Sequence, residues 1–189
     1  SNFTLPQLNN GSRAIIWSGT GNDYDTPYAY GPVDNDPGNY GYLYNFSAAT
    51  AGETRATLTT GNTQHSICPA NWRLPSAGVY DTSNWPYTLV TPGDFSGLDI
   101  AFGGTGTYVE GGESNIAKWQ PTGPFKGSFS GYWSDGFGDQ GDTGRLWSAS
   151  AHPDYPDGAF NAYFDPSDVL PGYDDFDRSS GVGVRCLLN

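Results

Sequence analysis

Glycine and proline constrain this chain more than any other feature: 27 Gly and 14 Pro are spread through nearly every stretch of ten residues. Little room is left between them for the 3.6-residue apolar period of an amphipathic helix, so short strands and ordered loops must make up most of the fold. Arg13–Trp17 (RAIIW) is β-branched and aromatic and reads as a strand, followed by a turn-rich loop. Tyr42–Phe46 forms an alternating aromatic strip. The best helix signal starts at Thr91 as N-cap, with Pro92 in the first helical position, and runs through Phe102 to Gly103 and Gly104. Its apolar residues Phe95, Leu98, Ile100, Ala101 and Phe102 predict a helix lying on a sheet. From Phe125 onward, FKGSFSGYWS, GRLWSAS, AFNAYF and GVGVRCLL predict an antiparallel meander, with loops between the segments. An α+β fold follows, with small antiparallel sheets, few helices and long ordered loops, over one domain spanning residues 1–189.

An aromatic content of 15% supplies a core for a chain of 189 residues and excludes a disordered one. Twenty acidic against eight basic residues leave a formal charge of -12. Such a surface repels phosphate backbones and anionic headgroups, which excludes nucleic acid and membrane surfaces as partners. No apolar run reaches the roughly 18 residues of a membrane span, and SNFTLPQLNN has no signal-peptide pattern, so a processed, soluble product is expected. Cys68 and Cys186 are the only cysteines, without CxxC spacing or a His cluster for zinc. They read as a disulfide closing a long loop, with two buried free thiols as the alternative.

Tyr40–Ala49 (YGYLYNFSAA), Ile67–Ser76 (ICPANWRLPS), Asp94–Gly106 (DFSGLDIAFGGTG), Gly144–Ala151 (GRLWSASA) and Arg178–Leu187 (RSSGVGVRCL) occur in an order that resembles the Fibrobacter succinogenes major paralogous domain. The CPxxWRLP and GVxVRC pieces carry the resemblance most specifically. The family is a bacterial surface domain similar to the C-type lectin-like fold, and the resemblance implies that the two cysteines pair. It also implies an extracellular location on a bacterial or phage surface. After Arg145, strand-like skeleton alternates with Tyr, Phe, Asp, Pro and His in no periodic order. That contrast resembles the variable proteins of diversity-generating retroelements, whose C-terminal positions bind receptors.

The resemblance places a ligand-binding face on Tyr155, Phe160, Tyr163, Tyr173, Asp174, Asp175 and Phe176, expected in loops between framework strands. Tyr and Phe give large contact area at small rotamer cost, and Asp gives directed hydrogen bonds. An ordinary acidic loop with a few core aromatics is the competing interpretation. Trp72, Trp133 and Trp147 are assigned to the core, and Trp147 and Arg185 to support of the fold. Trp85 and Tyr87, in an apparent insertion NWPYT, suit either a protruding aromatic loop or core packing.

Acidic clusters offer oxygen ligands for a structural calcium: Asp135, Asp139 and Asp142; Asp34 and Asp36; Asp174, Asp175 and Asp177. None matches an EF-hand, the calcium signature of sugar-binding lectins is absent, and solvated turns are the preferred account of each. His65 and His152 sit in no nucleophile motif and are expected at the surface, so neither an enzyme nor a cofactor is expected. The expected function is an extracellular adhesin or receptor-binding module for a protein or glycan ligand. Alternatives are a self-assembling subunit of a filament or surface layer, and a calcium-dependent lectin.

Overall fold

The computed structural model describes residues 3–4, 15–18, 23–31, 40–109, 112 and 114–189, the first two segments by backbone alone. Arg13 and the Asp34, Asp36 pair lie outside the described residues. In chain order the elements begin with β1 (Phe3–Thr4), β2 (Ile15–Ser18), β3 (Tyr28–Tyr30), β4 (Leu43–Tyr44), α1 (Phe46–Ala49), β5 (Gly61–Asn62), β6 (Trp72–Arg73), β7 (Gly78–Asp81) and β8 (Thr88–Pro92). They continue with α2 (Asp94–Ala101), α3 (Ile116–Trp119), β9 (Tyr132–Trp133), β10 (Phe137–Gly138), β11 (Gly144–Ala151), β12 (Gly158–Phe164), β13 (Val169–Asp177) and β14 (Leu187–Leu188). The result is mixed α and β, with small, mostly antiparallel sheets and short helices.

The central sheet has the order β13-β12-β11-β5 and is antiparallel throughout. A second sheet, β1-β2-β3-β4, contains one parallel pair, β2 with β3. The two are linked through residues 182–183, where Val182 bridges Tyr44 of β4 and Gly183 bridges Leu146 of β11. Trp147 of β11 is buried at this junction: its indole N–H donates to the Tyr44 carbonyl at 2.7 Å, and its ring meets Phe46 edge-on at 5.4 Å. Cys68 and Cys186 form a disulfide beside this core, just ahead of β6 and β14, which pair with each other. Arg178 is buried with its guanidinium over Phe46 and donates to the carbonyls of Gly158 and Leu58.

Two expectations about elements need correction. The helix begins at Asp94 with Gly93 as N-cap, because Thr91 and Pro92 extend β8 opposite Val79 and Gly78. Glycine is required there, since a Cβ on Gly93 would stand 2.6 Å from the backbone of Ala77. Ile100 leaves the apolar stripe and is 44% exposed, while Asp99 on the inner side is buried. That carboxylate accepts from the Trp119 indole at 3.0 Å, the Asn115 amide at 2.7 Å and the Gly106 N–H at 2.9 Å, pinning the loop that follows the helix.

The meander differs more. FKGSFSGYWS contributes only β9, and GVGVRCLL makes isolated bridges before β14. The missed strand is β13, nine residues long, in a segment expected as loop. Pro171 is tolerated because β13 is the outermost strand, where one side needs no ladder N–H. Gly172 sits at φ +76°, and a Cβ there would stand 2.8 Å from the Ala77 backbone, so glycine lets the strand pack this closely; the β12–β13 register shifts near that point.

Candidate functional site

Strand alternation divides the seven residues expected on one face. Six of them lie on β12 and β13 instead of in connecting loops, which corrects their placement, and successive strand residues point to opposite faces. Phe160 and Tyr173 face one side and are 3% and 0% exposed, so both are core rather than contact residues. They pack with Tyr80 and Ala77. Asp175 sits directly opposite Phe160 in the ladder, and Asp174 opposite Asn161. Tyr163, Asp174 and Phe176 belong to the other side. There the Arg145 guanidinium lies 4.4 Å from the Phe176 ring centre and 4.7 Å from that of Tyr163, and it pairs with Asp174. Burial pushes the Asp174 carboxyl up from its ordinary pKa, against the opposing pull of Arg145 and Asn161. This second cluster pairs Arg145 with Asp174 inside the chain, although the buried Arg145 Nε has no hydrogen-bond partner.

The open surface lies on the first side. Tyr155 is on the β11–β12 loop and 48% exposed, its ring lying over Gly158, where a Cβ would be 2.5 Å from it. Beyond it the tip of the β7–β8 hairpin carries Trp85, which is 60% exposed. Trp85 contacts Tyr87 at 5.3 Å, Tyr173 at 5.2 Å and Tyr108 at 6.2 Å between ring centres. Tyr87 continues to His152 at 5.9 Å, and His152 to Tyr155 at 6.4 Å. Five rings thus form a continuous strip, Tyr108, Trp85, Tyr87, His152 and Tyr155, underlain by buried Tyr173 and Phe160. Thr82 donates to Asp154 and ties the hairpin tip to the Tyr155 loop.

His152 is buried, contrary to the expected surface position. Its Nδ1 accepts the Asp154 N–H at 3.2 Å, and its Nε2 has no hydrogen-bond partner. Burial lowers its pKa, outweighing Asp175 and Asp154. The Tyr87 phenol is shifted up by burial and then by Asp175, Asp154 and Asp174, so the strip lies in a field of carboxylates. The Asp175 carboxylate makes no hydrogen bond or ion pair with any described residue. The sequence flagged Trp85, Tyr87 and Tyr155. It gave no local signal for Tyr108 or His152, whose roles depend on contacts with segments distant in the chain.

Other expected residues sit elsewhere. Trp133 is core, but Trp72 is 40% exposed, because β6 pairs with β14 at the surface. Arg185 stacks 4.2 Å above Phe125 and donates to its carbonyl. Asp135 and Asp139 take left-handed turn positions, and among the described residues no three His, Cys, Asp or Glu side chains gather as a metal-holding group. Asp177 accepts from Tyr24 and Ser179. A polar cleft of about 630 Å³ lies between Asn62, His65, Asn71, Arg73 and Asn189, and an apolar cavity of about 300 Å³ lies beneath Arg185. Neither includes any of the seven nominated residues. Neighbouring rings of the strip meet at 31° to 83°, so it offers a ligand both aromatic faces and aromatic edges. No helix among the described residues is long and apolar enough to cross a membrane. Comparison with protein-family models, curated proteins and solved structures yields no match.

Proposed function

We propose that the chain is an extracellular, non-enzymatic ligand-binding module of C-type lectin-like architecture, similar to the Fibrobacter succinogenes major paralogous domain. It presents the Trp85–Tyr155 platform to a protein or glycan on another surface. One observation carries this: Trp85 is 60% exposed, yet its ring rests on Tyr87, Tyr108 and Tyr173, the last of them fully buried. An exposed aromatic held this way offers apolar area at little further entropy cost, which is what a binding hot spot requires. The disulfide supports an oxidising compartment. Adhesion is preferred to edge-to-edge assembly because the outer strand β13 carries Asp175, whose carboxylate has no partner among the described residues, and uncompensated charge on an outer strand opposes pairing between copies.

The test is an array of defined peptides and glycans probed with the wild-type protein and with Trp85→Ala and Tyr155→Ala. Specific binding that both substitutions abolish, at unchanged melting temperature, supports the assignment. Binding indifferent to both would place the ligand face elsewhere.

A further inference from the structure

The chain combines a guanidinium, an aromatic face and a carboxylate twice within its own fold. Arg145 lies over Phe176 and Tyr163 and pairs with Asp174. Arg55 lies 4.5 Å from the Tyr24 ring centre and pairs with Asp25 and Asp157. Stacking a planar cation on a ring while a carboxylate neutralises it uses both properties of arginine together. The Trp85 platform offers the same aromatic and acidic components. Asp154 is fastened to the hairpin tip through Thr82, and Asp175 faces the strip opposite Phe160, its carboxylate without a partner among the described residues. Among the described residues, no Arg or Lys lies over Trp85, Tyr87, Tyr108 or Tyr155.

We infer that the platform recognises an arginine side chain on an extended basic peptide, stacking its guanidinium on the exposed Trp85–Tyr155 rings and neutralising it with Asp175 and Asp154. The inference rests on the assignment of this platform as the binding face and adds the class of its ligand. Charge complementarity favours it. The whole chain carries -12, and Asp175, Asp154 and Asp174 all act on Tyr87 at the middle of the strip. A neutral glycan would use the rings and donate hydroxyls to Asp175, but would leave its charge uncompensated. A peptide cation uses both the rings and the charge.

The probe is a capped glycine–serine decapeptide carrying two arginines, compared with the same peptide carrying citrulline, which keeps the planar shape and removes the charge. Binding is followed by tryptophan fluorescence and by calorimetry at low and high salt. The arginine peptide is expected to bind and the citrulline peptide about tenfold more weakly or not at all, with affinity falling as salt rises. Trp85→Ala and Asp175→Asn should each weaken binding about tenfold. Asp142→Asn, which removes the same charge from an exposed turn, should have little effect and serves as the control for nonspecific attraction to an acidic protein. Equal binding of the two peptides, or equal effects of Asp175→Asn and Asp142→Asn, would overturn the inference. If an array glycan binds through Trp85 while the arginine peptide does not, the cationic ligand is wrong and the binding face stands. If no probe depends on Trp85, both fall.

Discussion

Asp94 holds the start of α2 against β6 through Arg73, which donates from both Nη atoms, and through the N–H and hydroxyl of Ser76 at 2.7 and 2.8 Å. Burial alone would raise its pKa, but these donors outweigh burial and bring it down to about 2 from 3.8. A depressed carboxylate contributes stability that is present above its unfolded pKa and is lost as pH falls toward the folded value. Asp94→Asn should therefore cost roughly 1 to 2 kcal/mol at neutral pH, after discounting for its exposed part, and much less near pH 2. Chemical denaturation between pH 7 and pH 2 checks this through the difference between the two proteins. His152 behaves analogously across a higher window. Its folded pKa lies below the ordinary 6.5, so the stability it confers is present above that value and declines as pH falls below it. His152→Leu should flatten the stability profile below pH 6.5 relative to wild type, measured as melting temperature against pH.

At the scale of elements, β13 decides how much of the site could be read from sequence. GRLWSAS and AFNAYF are short, apolar-rich and free of Pro between turn-rich loops, and were legible as β11 and β12. VLPGYDDFD contains Pro, Gly and three acids, all of them turn signals, yet it forms a strand because an outer position tolerates Pro171 and needs Gly172 for close approach. The nominated residue types were therefore found while their distribution over two faces was not, since pairing register depends on distant partners. The same register makes a prediction. Tyr173→Ala removes a fully buried ring that supports Trp85 and should cost about 3 to 5 kcal/mol of stability. Trp85→Ala and Tyr155→Ala, at exposed positions, should change stability by less than about 1 kcal/mol. Urea unfolding monitored by circular dichroism separates the two classes, and a Tyr173→Ala variant as stable as Trp85→Ala would show that the platform has no packed foundation.

Across the whole molecule the disulfide is the one covalent link between distant parts, and the cysteine arithmetic made it legible before any geometry. Reducing it should lower stability by about 4 to 5 kcal/mol in the chain-entropy model. Denaturant unfolding with and without a reductant measures this, and non-reducing peptide mapping should recover Cys68 joined to Cys186. The bridge also has a mechanical consequence. Every residue of the platform, from Trp85 to Asp175, lies inside the loop that Cys68 and Cys186 close. Tension applied to the chain before Cys68 and after Cys186 travels through the sulfur–sulfur bond and bypasses that loop. In single-molecule pulling, the oxidised protein should extend about 40 nm less than the reduced one, corresponding to the 118-residue separation kept out of the load path.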